Sequence, residues 1–151
     1  MTSAVPVVSA VPATLVLDAS VALAWLFERT EPAQADCAGR VLAALPSCRV
    51  LVPPLWHVET ANALLVAERR QVVSEAQVAD FVAKLGRLPI ETDVAAPAER
   101  SEVVMGLARE HALTAYDASY LDLALRSGAA LATFDVALAD AMRRAGGIVF
   151  A

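Results

Sequence analysis

The sequence predicts an α/β fold, a three-layer α/β/α sandwich on a small central parallel sheet. Three observations predict it. Short β-branched and apolar runs alternate with segments of helical periodicity along the 151 residues, the order expected of parallel strands with helices on both faces. The longer runs are apolar throughout, as strands buried on two faces must be. Two of them, Thr14 to Leu17 and Ala129 to Thr133, lead through an Asp into a helix. That places carboxylates at the carboxyl edge of the sheet, where open α/β sheets bind ligands. With no internal repeat and no linker, the chain reads as one domain.

Met1 to Ala13, a mixture of Ser, Ala, Val and Pro without periodicity, is read as a disordered or loosely packed extension; residues 14–151 form the domain. Thr14 to Leu17 is the first strand and Val21 to Phe27 the first helix. Pro32 opens a helix through Leu45, ended by Pro46 and Ser47. Arg49 to Val52 is a strand closed by two prolines. Leu55 to Arg70 is a long helix with a basic end, and Ser74 caps another from Glu75 to Leu85, stopped by Gly86. Leu88 to Thr92 reads as a short strand and Pro97 or Ala98 to His111 as a helix. Asp117 to Arg126 is the next helix, stopped by Ser127 and Gly128. Ala129 to Thr133 is a buried strand, Asp135 opens a helix to Arg144, and Gly146-Gly147 turns into a last strand, Ile148 to Phe150.

Hydrophobic residues make up 58% of the chain and the mean hydropathy is +0.55, yet no apolar run reaches the roughly 18 residues of a spanning helix. The amino-terminal stretch lacks a basic n-region. The chain is read as cytosolic. Cys37 and Cys48 have neither CxxC spacing nor a neighbouring His, which speaks against a metal site or disulfide framework. A net charge of −5 and pI near 4.9 argue against a non-specific electrostatic grip on nucleic acid. They leave nucleic acid open as a substrate, because acidic clusters loaded with divalent cations change sign locally.

Four acids carry the chemistry. Asp18 follows the first strand, with Ser20 two residues on; either residue could cap the helix, and one cap leaves the other free. Glu59 shares a helix face with Leu55, Asn62, Ala63 and Val66, placing a carboxylate and an amide on an otherwise apolar stripe. Reaching solvent from the stripe's edge and facing inward remain equally open for it. Asp117 stands at a helix start, where capping alone would explain it. Asp135 repeats the grammar of Asp18, with Thr133 two residues before it. A parallel sheet gathers the four into one cleft, where like charges repel unless a cation lies between them. Mg²⁺ or Mn²⁺ suits such an oxygen-rich set, and phosphodiester hydrolysis suits such a site.

The ordered set VLDASVALAWL, HVETANALL, LTAYDASYLDLAL and LATFDVAL resembles the PIN-domain ribonucleases, closest to the VapC-type toxins of toxin–antitoxin modules. The resemblance runs from Thr14 to Phe150. It implies a small parallel-sheet sandwich and a Mg²⁺ or Mn²⁺ site held by Asp18, Glu59, Asp117 and Asp135. Asp18 and Asp117 are the direct ligands it implies, with Glu59 and Asp135 acting through water. Ser20, Asn62 and Thr133 match the polar groups around the ligands, which support them or orient substrate. The resemblance further implies a single-strand-specific endoribonuclease cutting structured RNA such as tRNA or rRNA, a homodimer, and neutralisation by a small cognate antitoxin. The departure from the family is the added amino-terminal extension, as an early assigned start codon would give.

Arg69-Arg70 and Arg143-Arg144 are candidates for phosphate contact, although complementing a helix dipole explains each pair better. His57 and His111 lack ligand spacing, Trp25 and Trp56 read as core or dimer-interface anchors, and an i, i+4 pair with Arg126 explains Asp122. Tyr116 and Tyr120 stay ambiguous. A haloacid-dehalogenase-like phosphatase needs an Asp where Ser20 stands and a catalytic Lys, whereas Lys84, the one lysine, lies mid-helix. A receiver domain needs a Lys after a late strand, and nucleotide-binding folds need a Gly-rich loop. A PIN-like protein that only binds RNA or a partner is the non-enzymatic alternative, disfavoured by four intact acids.

Overall fold

The computed structural model describes residues 10–151; Met1 to Ser9 of the expected amino-terminal extension lie outside the described residues. Among the described residues are four strands and seven α-helices: β1 (Thr14–Leu17), α1 (Ala19–Leu23), α2 (Pro32–Ala44), β2 (Arg49–Val52), α3 (Leu55–Arg69), α4 (Glu75–Leu85), β3 (Ile90–Thr92), α5 (Pro97–His111), α6 (Ala115–Ser127), β4 (Ala130–Ala132) and α7 (Val136–Arg144). The sheet order is β3-β2-β1-β4 and every pairing is parallel. This is the three-layer α/β/α sandwich that the alternation predicts. No helix among the described residues is long and apolar enough to cross a membrane.

The two central strands are dry. Leu15, Val16 and Leu17 of β1 are fully buried, as are Val50, Leu51 and Val52 of β2, which is why both read as unbroken apolar runs. Edge strand β3 exposes Glu91 and Thr92, and Arg49 pairs with Glu91 across the edge at 2.6 Å. Helix α6 closes the core through Tyr120, Leu121, Leu123 and Ala124.

Local chemistry sets most boundaries. Pro32 starts α2 at the position where a missing N–H costs nothing. Ser74 and Gln77 form a reciprocal capping box at α4. Gly128, with φ of 61°, ends α6 in the left-handed region.

Five expectations shift, the first being that the helix expected over Asp117 to Arg126 spans Ala115–Ser127, because Thr114 supplies the cap. The first helix spans Ala19–Leu23, not Val21 to Phe27, because the chain tightens into three-residue turns in which Ala24, Trp25 and Leu26 donate to Val21, Ala22 and Leu23. The strand expected from Leu88 begins at Ile90, since Leu88 is used in a turn back to Leu85. The strand expected over Ala129 to Thr133 contracts to Ala130–Ala132. Ala129 instead bonds back to Ala124, closing α6. Ile148 to Phe150 makes one bridge, Leu131 to Val149, instead of a strand. A three-residue β4 leaves only Leu131 to pair there, through two backbone bonds of 2.9 Å.

Candidate active site

The carboxyl edge of β1 and β4 holds the first part of the site. Asp18 leaves β1 with its N–H bonded to Ala132 of β4 at 3.0 Å and is only 7% exposed. Its side chain makes no cap bond to α1. Oδ2 instead accepts from Ser20 Oγ and from Thr133 Oγ1, both at 2.7 Å. Each hydroxyl is committed as a donor because its oxygen accepts a backbone N–H, from Phe134 at 3.1 Å and from Asp135 at 3.0 Å respectively. Two N–H groups of the β4–α7 turn thus fix two hydroxyls that hold one carboxylate oxygen. Among the described residues no side chain bonds to Oδ1, which leaves it for a ligand.

Asp117 sits in the first turn of α6, half-buried. The cap here is Thr114, whose Oγ1 accepts from the Asp117 N–H at 3.1 Å. The capping explanation for Asp117 therefore fails, and its carboxylate, which has Thr114 beside it, holds no helix N–H. Asp135 is a true cap, since its Oδ1 accepts from Leu138 N–H at 2.8 Å. One oxygen holds α7 while the other remains available, so structural and ligand roles coexist.

Glu59 resolves between its two open readings. The core face of α3 is Trp56, Thr60, Leu64 and Ala67. The stripe of Leu55, Glu59, Ala63 and Val66 is its half-buried shoulder. From that shoulder Glu59 turns inward, with Oε1 accepting from the Tyr120 hydroxyl at 2.7 Å. Asn62 points elsewhere: it is exposed and hydrogen-bonds to none of the acids among the described residues.

Electrostatics tie the four together. Burial pushes the Asp18 carboxyl up, the bonds from Thr133 and Ser20 pull it down, and the Asp135 charge adds to the rise. Burial raises Glu59, relieved by Tyr120 and reinforced by Asp18 and Asp117. Asp117 is raised by burial and then by repulsion from Asp135 and Asp18. None of the four is in an ion pair among the described residues. The cleft is thus a concentration of uncompensated carboxylates, the condition that a divalent cation relieves.

Among the described residues, no three acid, His or Cys side chains stand close enough to enclose an ion by themselves. The donor set nonetheless fits Mg²⁺ or Mn²⁺, which take oxygen ligands, need few protein carboxylates and keep waters in the remaining positions.

Tyr120 is the contact that sequence reasoning left unassigned. Burial, then the charges of Asp18 and Glu59, push its phenol far above the usual value, so it stays a donor. Its spacing of three from Asp117 on one helix face was the available signal. Tyr116, by contrast, is 66% exposed. Asp122 does pair with Arg126 at 3.3 Å, as the spacing predicts, but its main partner is Arg100, which grips both oxygens at 3.0 and 2.6 Å. Arg126 also grips both oxygens of Asp93. This network flanks a cavity of about 230 Å³ beside Leu55, one turn before Glu59. His57 is exposed and bonded to Thr92, Cys37 is a buried free thiol, and Cys48 is half-buried and free.

The sequence matches the PIN domain family over residues 15–143. No curated protein sequence matches it. Among solved structures it is similar to PAE2754 from Pyrobaculum aerophilum, with a TM-score of 0.66, 25% identity, and 91% of each chain covered. It shares the fold of FitAcB from Neisseria gonorrhoeae, with a TM-score of 0.61 and 16% identity over 91% of this chain and 96% of that one.

Proposed function

From the premise that this chain belongs to the PIN-domain family, we propose that it is a Mg²⁺- or Mn²⁺-dependent endoribonuclease acting as the toxin of a type II toxin–antitoxin module. PIN domains are generally metal-dependent nucleases, and the observation that carries the reading here is the set of four unpaired carboxylates at one sheet edge. Asp18 and Asp117 would hold the ion directly, and Glu59 and Asp135 through water. A bound divalent ion supplies Lewis-acid stabilisation of the charge that develops on phosphoryl oxygens.

The chain's own residues set the stage. Ser20 and Thr133 fix Asp18 through one oxygen and present the other. Asp117, free of capping duty, has its carboxylate in no ion pair among the described residues and available to an ion. Glu59, raised by burial, is placed to exchange a proton at the oxygen Tyr120 does not hold, since a carboxylate of raised pKa is the stronger general base once ionised. The substrate proposed is single-stranded stretches of structured RNA such as tRNA or rRNA. The partners proposed are a second copy of the chain and a small cognate antitoxin.

Purified protein freed of any partner should cut RNA with Mg²⁺ or Mn²⁺ and stop on chelation. Asp18→Asn and Asp117→Asn should each abolish cutting, and activity surviving in both variants would refute the assignment. A short neighbouring reading frame encoding a DNA-binding protein should accompany the gene. Its absence would remove the toxin role while leaving the nuclease.

A further inference from the structure

We propose that Arg29 is a phosphate-binding residue of the nuclease cleft, positioned to take a phosphodiester oxygen of the RNA chain beside the acid cluster. The inference rests on the ribonuclease reading and adds a residue to it. Three observations converge. Arg29 Nη2 donates to the Ser20 carbonyl oxygen at 2.9 Å, and its guanidinium lies over the Phe134 ring, 5.1 Å from the centroid. Ser20 and Phe134 are the two residues joined at the Asp18 clamp by the Phe134 N–H to Ser20 Oγ bond. The cation is therefore attached to the support of the acid site itself.

Second, Arg29 is not neutralised. Arg100 and Arg126 are held by Asp122 and Asp93, Arg49 by Glu91, Arg40 by Asp36 and Arg143 by Asp140. Arg29 has no carboxylate partner among the described residues; the other arginines without one, Arg69, Arg70, Arg87, Arg109 and Arg144, are all exposed, whereas Arg29 is half-buried, and Asp135, next to Phe134, spends an oxygen on its own helix. Third, the seat is incomplete: among the described residues Nε is buried without an acceptor and Nη1 makes no hydrogen bond. A buried donor left unmade is costly, and Nη1, which is not among the buried unpartnered atoms, is the donor that an anionic oxygen entering beside Phe134 reaches. A strongly acidic cleft also needs a fixed cation to receive a polyanion, and a planar guanidinium suits phosphate.

The test is RNA binding, separate from cleavage. Fluorescence anisotropy of a labelled single-stranded RNA is measured against KCl concentration with Mg²⁺ present, in an Asp117→Asn background. One lost phosphate contact reduces the slope of log affinity against log salt by about 0.7 for a single strand. Arg29→Gln should show that loss and Arg29→Lys, keeping the charge, should restore most of it. Arg40→Gln, which removes a similarly stacked arginine over Phe150 on α2, should leave the slope unchanged. An unchanged slope in Arg29→Gln overturns the proposal whether or not the melting temperature falls. RNA that binds neither this background nor the unsubstituted protein overturns the ribonuclease reading as well, so the two failures are distinct.

Discussion

Tyr120 donates its phenolic hydrogen to Oε1 of Glu59 at 2.7 Å, joining two helices, α6 and α3, across the sheet's carboxyl edge. The bond favours ionised Glu59, whereas burial and the neighbouring acids oppose it. Tyr120→Phe removes only the donor from a fully buried ring. It should cost about 1 kcal/mol of stability. It should also raise the Glu59 carboxyl further, moving the acid limb of the pH–activity profile upward. A profile identical to wild type would show that Glu59 ionisation does not limit the reaction.

The acid cluster should make stability metal-dependent. At an ion concentration about 100 times Kd, binding to the folded state alone adds about 2.7 kcal/mol, or about 5–10 °C in a domain of this size. Calorimetry with and without Mn²⁺ should show that rise, reversed by chelator and absent from Asp18→Asn.

The same repulsion gives the metal-free protein a pH signature. Asp117 is raised by burial and by Asp135 and Asp18, so the folded state holds that proton more tightly than the unfolded state. Ionisation therefore costs stability as pH rises from the ordinary carboxyl range near 4 through the raised folded value. In the absence of metal, Asp117→Asn should melt above wild type at neutral pH, the gap closing as pH falls toward about 4. An equal or lower melting temperature at pH 7 would mean that the Asp117 charge is already compensated.

What the sequence made legible was local. Ser74 and Gly86 mark α4 to the residue, whereas the Gln77 half of its capping box went unread, and the strand-then-Asp grammar put Asp18 and Asp135 after β1 and β4. Function in a capping position was harder to read. Thr114 relieves Asp117 of capping, while Asp135 still caps, and only side-chain geometry separates the cases. Helical periodicity also could not choose between adjacent stripes on α3. Glu59 and Thr60 differ by about 100° around the axis, yet one lies on the shoulder and the other in the core. Contacts between distant segments, Tyr120 to Glu59 and Arg100 to Asp122, left little local mark.

Asp122 tests whether the ion network beside the cleft is structural. It is 4% exposed and bonded to both Arg100 and Arg126, so Asp122→Ala strands Arg100, which ties α5 to α6, and leaves Arg126 with Asp93 alone. The variant should lose more stability than Asp36→Ala. Asp36 makes only an exposed pair with Arg40, and such pairs contribute at most about 1 kcal/mol. Urea melts of the two variants decide the order, and equal midpoints would remove the structural role.

Asp93 supplies the opposite pH sign. Burial alone would push its carboxyl up, but the grip of Arg126 and the backbone N–H of Ala95 hold it below the ordinary value. A depressed folded value means that the pair's stabilisation is present above the unfolded carboxyl range, near 4, and lost as pH falls through the folded value. Asp93→Asn should therefore destabilise the protein at pH 7 and flatten the acid limb of its stability curve. In such a titration the wild-type and variant midpoints should converge below about pH 4. Parallel curves across that range would place the main acid-sensitive contact elsewhere in the fold.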